Sequence, residues 1–248
     1  MQVASGYKLK MPRKQGFPAR AATASRWPLG VALTSWRYLW RTTPLYRVEL
    51  QGSLEADLPP PLPPELQRSE IQTPEHGTGP LFHRRYRVRI RESDLSADDL
   101  VRCVAAEPDS VAPSEFATFR KLRGNEGAMR VNDEYVVRMA GPWDGPVRVA
   151  KRDRAMFRLV TLEGHLEAGQ IEFRGSERGG LVVFEIESWA RSKDRFTDLL
   201  YDRLRMSKEV QLHMWTSTLE RIAETSGGRR SGGIEIQTQK VEASAFDE

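Results

Sequence analysis

Leu181-Val182-Val183-Phe184-Glu185-Ile186-Glu187-Ser188-Trp189-Ala190 opens a stretch, running to Ser226, that contains neither glycine nor proline. The chain as a whole carries 19 glycines and 15 prolines. In these first ten residues apolar and polar side chains alternate with the period of a strand. From Asp194 the apolar residues recur every three to four positions, the period of a helix. Asp194 to Ser226 therefore reads as a closing helix, capped by Ser192 or Asp194 and ended by Gly227. At ~1.5 Å per residue it would approach 50 Å, enough to cross a sheet. A last strand feeding one long helix predicts an α+β fold: a curved antiparallel sheet, two short helices and a long C-terminal helix.

The preceding segments fit that plan. From Phe82 to Glu92, Arg85, Arg87, Arg89 and Arg91 point one way and Tyr86, Val88 and Ile90 the other. Glu185 and Glu187 share a face of the last strand. If the two strands are neighbours, these charges pair across them on a solvated face; the other reading of the arginine ladder is a phosphate-binding stripe. One short helix is expected after Ser96, with Asp98 and Asp99 in its first turn. A second is expected after Pro113-Ser114, carrying Phe116, Phe119 and Leu122. Strands follow at 134–139, 147–151, 156–163, 170–174 and 181–190. The turns between them are marked by Gly141 to Pro146, by Gly164 to Gly169 and by Gly179-Gly180. Consecutive hairpins imply antiparallel pairing.

Composition bounds the rest. A chain of 248 residues with 39% hydrophobic and 29% charged content is an ordinary globular one with no run able to span a bilayer. Of 38 basic residues nine fall in the first 48, before the first acidic residue, Glu49, leaving 29 basic against 34 acidic residues in the remainder. The positive charge thus belongs to an arm and the body is mildly acidic. Residues 1–26 read as a basic flexible tail; an acid-free, Arg-rich start also resembles an organelle transit peptide. Residues 27–64 read as a docking helix, with Leu33, Trp36 and Trp40 on one face, and a Pro-rich linker at 58–64. Residues 65–226 form the main domain. Residues 227–248 form a linker and an edge strand from Ile234 to Val241. The arm within 1–48 offers a second use, contact with nucleic acid or an anionic membrane. The single Cys103 excludes an internal disulfide and fits a reducing, cytoplasmic compartment. Four scattered histidines give no metal-ligand spacing, so neither a metal nor a cofactor is expected.

Projected at ~100° per residue, the closing helix has a charged arc of Asp198, Asp202, Arg205, Glu209, Thr216, Glu220 and Glu224. The opposite arc is apolar, with Met214, Trp215 and Ile222 among its members, and is interrupted by Ser207, Gln211 and Thr218. His213 falls at the edge of the solvated arc, outside any cavity. The three interrupting residues either line a cavity and orient a mostly apolar ligand, or bond back to their own helix and to one strand. Tyr86, Phe157, Thr161, Phe173, Phe184 and Ser188 would face them from the sheet.

The segment Thr161-Leu162-Glu163-Gly164-His165-Leu166-Glu167-Ala168-Gly169-Gln170-Ile171-Glu172-Phe173, with Phe184 to Ser192, resembles the family known as domain of unknown function nineteen-ninety. The resemblance extends from about Phe82 to Ala223 and implies no activity. The family often has Gly-His-Pro and Gly-Glu-Glu in that turn, where this chain has Leu166 and Gln170. The order of elements also resembles the START and birch-pollen-allergen superfamily, in which a helix-grip sheet encloses an apolar ligand. Two functions follow as expectations. One is binding of a small apolar molecule without chemistry. The other is a cyclase, hydratase or isomerase using His165 and Glu167 as an acid–base pair, if their hairpin tip overhangs the cavity.

Overall fold

The computed structural model describes residues 43–66, 70–114, 117–139, 144–193 and 206–246. The basic tail, the Trp-bearing helix expected at 30–41 and the first part of the expected closing helix lie outside the described residues.

Among the described residues ten strands form one sheet: β1 (Leu45–Gln51), β2 (Thr78–Arg91), β3 (Ala117–Arg123), β4 (Glu134–Met139), β5 (Asp144–Asp153), β6 (Met156–Thr161), β7 (Glu167–Arg178), β8 (Leu181–Ser192), β9 (Arg229–Arg230) and β10 (Ile234–Val241). Their order is β1-β10-β2-β8-β7-β6-β5-β4-β3, with β9 beside the end of β2. Every pairing is antiparallel except β1 with β10. Register shifts between Thr78 and Phe82, Lys121 and Arg123, and Val149 and Lys151 add bulges, which bend the strands and give the sheet its curve. Gly179 and Gly180 both have positive φ, 59° and 75°, the backbone a tight hairpin between β7 and β8 requires.

Among the described residues there are four α-helices: α1 (Leu54–Asp57), α2 (Ala97–Ala106), α3 (Pro108–Val111) and α4 (Met206–Thr225). The Ser96 side chain caps α2 by accepting from the Asp99 N–H at 3.2 Å. Leu100, Val101 and Val104 of α2 and Leu212, Leu219 and Ile222 of α4 pack on Tyr86, Val88, Phe157, Phe173, Phe184 and Ile186 of the sheet. Gly175 permits that approach, because a Cβ there would lie 2.7 Å from the Ala97 carbonyl oxygen. The α+β arrangement is the expected one, a curved antiparallel sheet gripping a C-terminal helix.

Four expectations are corrected. The second short helix is Pro108–Val111, and Ala117–Arg123 is a strand. Its alternation places Phe119 against the core, which a helical register would not do while also pairing with β4. The C-terminal strand β10 is no edge strand, because β1 pairs with its outer side and makes the edge. Residues 43–64 therefore belong to the domain, not to a linker before it. The flank of α4 holding His213 and Thr216 was expected to be solvated, yet they are 6% and 0% exposed. The Thr216 hydroxyl is satisfied by the Leu212 carbonyl, and Glu220 beyond it binds Thr43 and Arg230 from the segments before β1 and in β9.

The outer face of the sheet is also covered. Residues 52–66 and 70–77 cross it, with Leu66 and Ile71 packing on Ala150, Val160 and Leu162. The Gln170 side chain donates to the Pro60 carbonyl at 3.2 Å, so the Pro-rich stretch is part of this cover. Beneath it the ladder forms as anticipated, Arg85 with Glu187 and Arg87 with Glu185, but Glu187 is buried rather than solvated. His83 bridges Asp57 of α1 (2.7 Å) and Glu187 (2.8 Å) and stacks on Trp189. Burial raises the Glu187 pKa, and the hydrogen bonds from His83 and Arg85 outweigh that and hold it below its ordinary value.

Arg158 and Glu172 face each other across β6 and β7 at 2.7 Å, 6% and 1% exposed. Glu172→Ala would leave a buried guanidinium without its carboxylate and should cost about 3–5 kcal/mol by chemical denaturation. Replacing both residues with leucine and methionine should recover most of that loss. A single substitution costing no more than the double would show that the pair carries no buried charge.

Candidate functional site

The sheet and three helices meet at one end of the gap between sheet and α4. The sheet supplies Phe157, Leu159 and Thr161 from β6, and Glu167, Gly169, Ile171 and Phe173 from β7. From α4 come Gln211, Met214, Trp215 and Thr218, whose spacing of three, four and seven residues sets them in one stripe. Val104 of α2 and Val111 of α3 close the apolar end. The cavity measures about 110 Å³. Its walls are aromatic: Phe157 and Phe173 stack at 4.6 Å, and Trp215 meets Phe173 edge-on at 5.8 Å.

The polar groups gather at the opposite end. Gln211 sits between opposite charges, accepting from Arg84 Nη1 at 3.3 Å and donating from Nε2 to Glu167 Oε1 at 2.6 Å. Arg84 reaches this position because it is in phase with Tyr86 and Val88 on the inner face of β2, opposite Ser188 of β8. It is 8% exposed and lies over the Phe82 ring at 4.5 Å.

The hairpin tip folds inward over the same end. Gly164 turns the chain with φ 99°, and the Gln72 side chain of the outer cover donates to the carbonyls of His165 and Glu167, each at 3.2 Å. His165 is consequently buried. Its Nδ1 accepts the Glu167 backbone N–H at 2.9 Å, which leaves a neutral ring in the Nε2–H form. Burial, only partly opposed by the Glu167 charge, pushes its pKa below the ordinary value. The Nε2 edge packs on Gly145, where a Cβ would lie 2.9 Å away. A neutral imidazole with both nitrogens so assigned donates a hydrogen bond; it holds no free lone pair for a general base.

Of the residues read from the sequence, Phe157, Thr161, Phe173, Ser188, Gln211, Met214 and Thr218 line the cavity, as do His165 and Glu167. Tyr86 and Phe184 do not: they share the inner face but lie farther along β2 and β8, where helix packing fills the gap. The Ser207 side chain, like Trp143, lies outside the described residues. The Thr161 hydroxyl is spent on the backbone of Gln72 and Gly169, and Thr218 donates to the Met214 carbonyl at 2.8 Å. Gln211 is thus the helical side chain of that polar stripe seen to reach across the cavity. Arg84 was missed, although its phase with Tyr86, Val88 and Ile90 was written in the alternation that singled out its odd-numbered neighbours.

Residues 51–221 match the family model described as Domain of unknown function (DUF1990). The chain belongs to this family. The matched span holds every cavity residue named above and stops short of β10, which the sheet nevertheless includes. No curated protein matches the sequence. Among solved structures, this DUF1990 chain is similar to a hypothetical protein from Helicobacter pylori, at 9% identity and TM-score 0.44 over 57% of this chain and 86% of that one. It is similar to major latex-like protein 151 from Panax ginseng at 13% identity and TM-score 0.40, covering 58% and 97%. Norcoclaurine synthase from Thalictrum flavum, in complex with dopamine and hydroxybenzaldehyde, aligns at 12% identity and TM-score 0.41, covering 61% and 89%. Among the described residues no group of three or more His, Cys, Asp or Glu side chains forms a metal site, and no helix is long and apolar enough to cross a membrane.

The unfolded chain protonates His165 more readily than the folded one does, since the folded pKa lies below 6.5. Stability is therefore full above that pH and falls as pH drops through and below it. Relative to His165→Gln, the wild-type protein should lose melting temperature between about pH 8 and pH 5. A difference in Tm that stays constant across that range would contradict the buried neutral ring.

Proposed function

We propose that this DUF1990 domain binds a small, mostly apolar molecule in the cavity between its sheet and C-terminal helix, without chemistry. The observation that carries this reading is the cavity itself, about 110 Å³ with stacked aromatic walls and with Arg84, Gln211 and Glu167 grouped at its border. A cavity of ~150 Å³ lined by apolar side chains admits benzene, so the size favours a ring or a short branched chain over a lipid. The polar end would orient the molecule while the aromatic walls supply affinity. His165 and Glu167 support binding over turnover, because Nδ1 of the histidine is occupied by backbone and Oε1 of the carboxylate by Gln211. The exposed, unpaired Cys103 suits a reducing, cytoplasmic setting.

Phenol, one ring with one hydrogen-bonding group, is a suitable probe by calorimetry and amide chemical-shift mapping. It should bind the wild-type chain, shifting residues of β6, β7 and α4. Val147→Phe, which fills the cavity from β5, should abolish binding while the circular dichroism spectrum is retained. Gln211→Leu should turn the preference from phenol toward toluene. Undiminished phenol binding to Val147→Phe would exclude this cavity as the site.

A further inference from the structure

We infer that the cavity selects a small monocarboxylate, its charged group held by Arg84 and its apolar body by Phe157, Phe173 and Trp215. This inference rests on the cavity being a binding site and names the class of molecule it takes.

Arg84 is more than nine-tenths buried, yet among the described residues no carboxylate oxygen lies within 4.0 Å of its guanidinium. Of the other buried arginines of the sheet, Arg148 is met by Glu70 and Glu134 and Arg158 by Glu172, while Arg191 donates to the carbonyls of Gly79 and Pro74. Arg84 instead has one long hydrogen bond, 3.3 Å, to the neutral amide oxygen of Gln211, and a ring beneath it. A guanidinium presents five donors in a planar fork matched to a carboxylate, and an uncompensated buried cation is strongly unfavourable. One of those donors meets Gln211, and the side chain borders the cavity.

Charge and size narrow the ligand further. Glu167 stands beyond Gln211, 2.6 Å from its amide nitrogen, so a second negative charge at this end would meet a carboxylate. One guanidinium, one nearby carboxylate and about 110 Å³ fit a single-charged acid and disfavour a phosphate dianion. Ser188, opposite Arg84 across β2 and β8, also borders the cavity and offers a hydroxyl to the same group.

Benzoate and benzamide, equal in size and differing in charge, test this by calorimetry on the full chain. The wild type should bind benzoate at least about tenfold more tightly than benzamide. Arg84→Gln should reduce benzoate to the benzamide level while leaving benzamide unchanged, and Arg84→Lys should retain part of the preference. Equal affinities in the wild type would overturn the inference and leave the cavity reading intact. Binding of neither probe, with no phenol binding, would overturn the cavity reading itself. Should the Arg84 variants fail to fold, benzoate titrated into the wild type must shift the Arg84 side-chain nitrogen resonances; no shift overturns the assignment.

Discussion

Arg85 and Arg87 stand directly opposite Glu187 and Glu185, and this short ladder between β2 and β8 fixes the phase of the whole inner face. Side chains on a strand alternate with period two, so a slip of one residue would drive four charges into the core and expel Tyr86, Val88, Phe184 and Ile186. With the ladder outward, Arg84 and Ser188 are carried inward as a matching pair. The candidate site is thus a consequence of register. Neighbouring strands inherit it: β7 pairs with β8 so that Phe173 lies opposite Ile186, and β6 pairs with β7 so that Phe157 meets Phe173. The aromatic wall and the buried arginine are both dictated by one alignment.

A ladder of this kind is weak when exposed, where an ion pair is worth at most about 1 kcal/mol. Here it is partly roofed. The segment before β2 lays α1 and the prolines across the outer face, and the buried His83 then bridges α1 to the ladder through Asp57 and Glu187. Burial raises the stakes in both directions. Each desolvated charge must keep its partner, and Arg158, Glu172 and Glu187 all do. Against that background, a buried arginine that meets one amide oxygen and a ring at a cavity wall is informative about function, because Arg148 and Arg158 are met by carboxylates and Arg191 by two backbone carbonyls.

The sheet, the hairpins and the grip of the C-terminal helix were legible because they rest on local periodicity, as in 82–92 and 181–190. Phe119 was misplaced because Ala117 to Arg123 is short and its helical and strand patterns overlap. Tertiary pairing with β4 decides it. The prolines at 58–64 looked like a spacer because composition reports stiffness and not what a stiff segment lies against. That the tip bearing His165 faces the cavity was illegible for a similar reason. A hairpin tip is polar by composition, and its place is set by residues 70–72, more than 90 positions away, through the Gln72 side chain and the backbone of Glu70 and Ile71. The exposure of His213 and Thr216 was misjudged because a helical wheel assigns one buried side, whereas this helix is covered on more than one.

Gln211 explains why the cavity has a polar end at all. A smaller residue there would leave Arg84 and Glu167, opposite in charge, with no side chain between them. A neutral amide of the right length holds the two charges apart and is itself locked by them, oxygen toward the cation and nitrogen toward the anion. Its orientation is set by the charges, so it offers an entering ligand a defined donor and acceptor with little ordering left to do. Met214, Trp215 and Thr218 follow on the same stripe of the helix, so the residue that separates the charges also begins the apolar wall. One helical face thereby joins a polarised end to an aromatic one, and that gradient gives the cavity a direction.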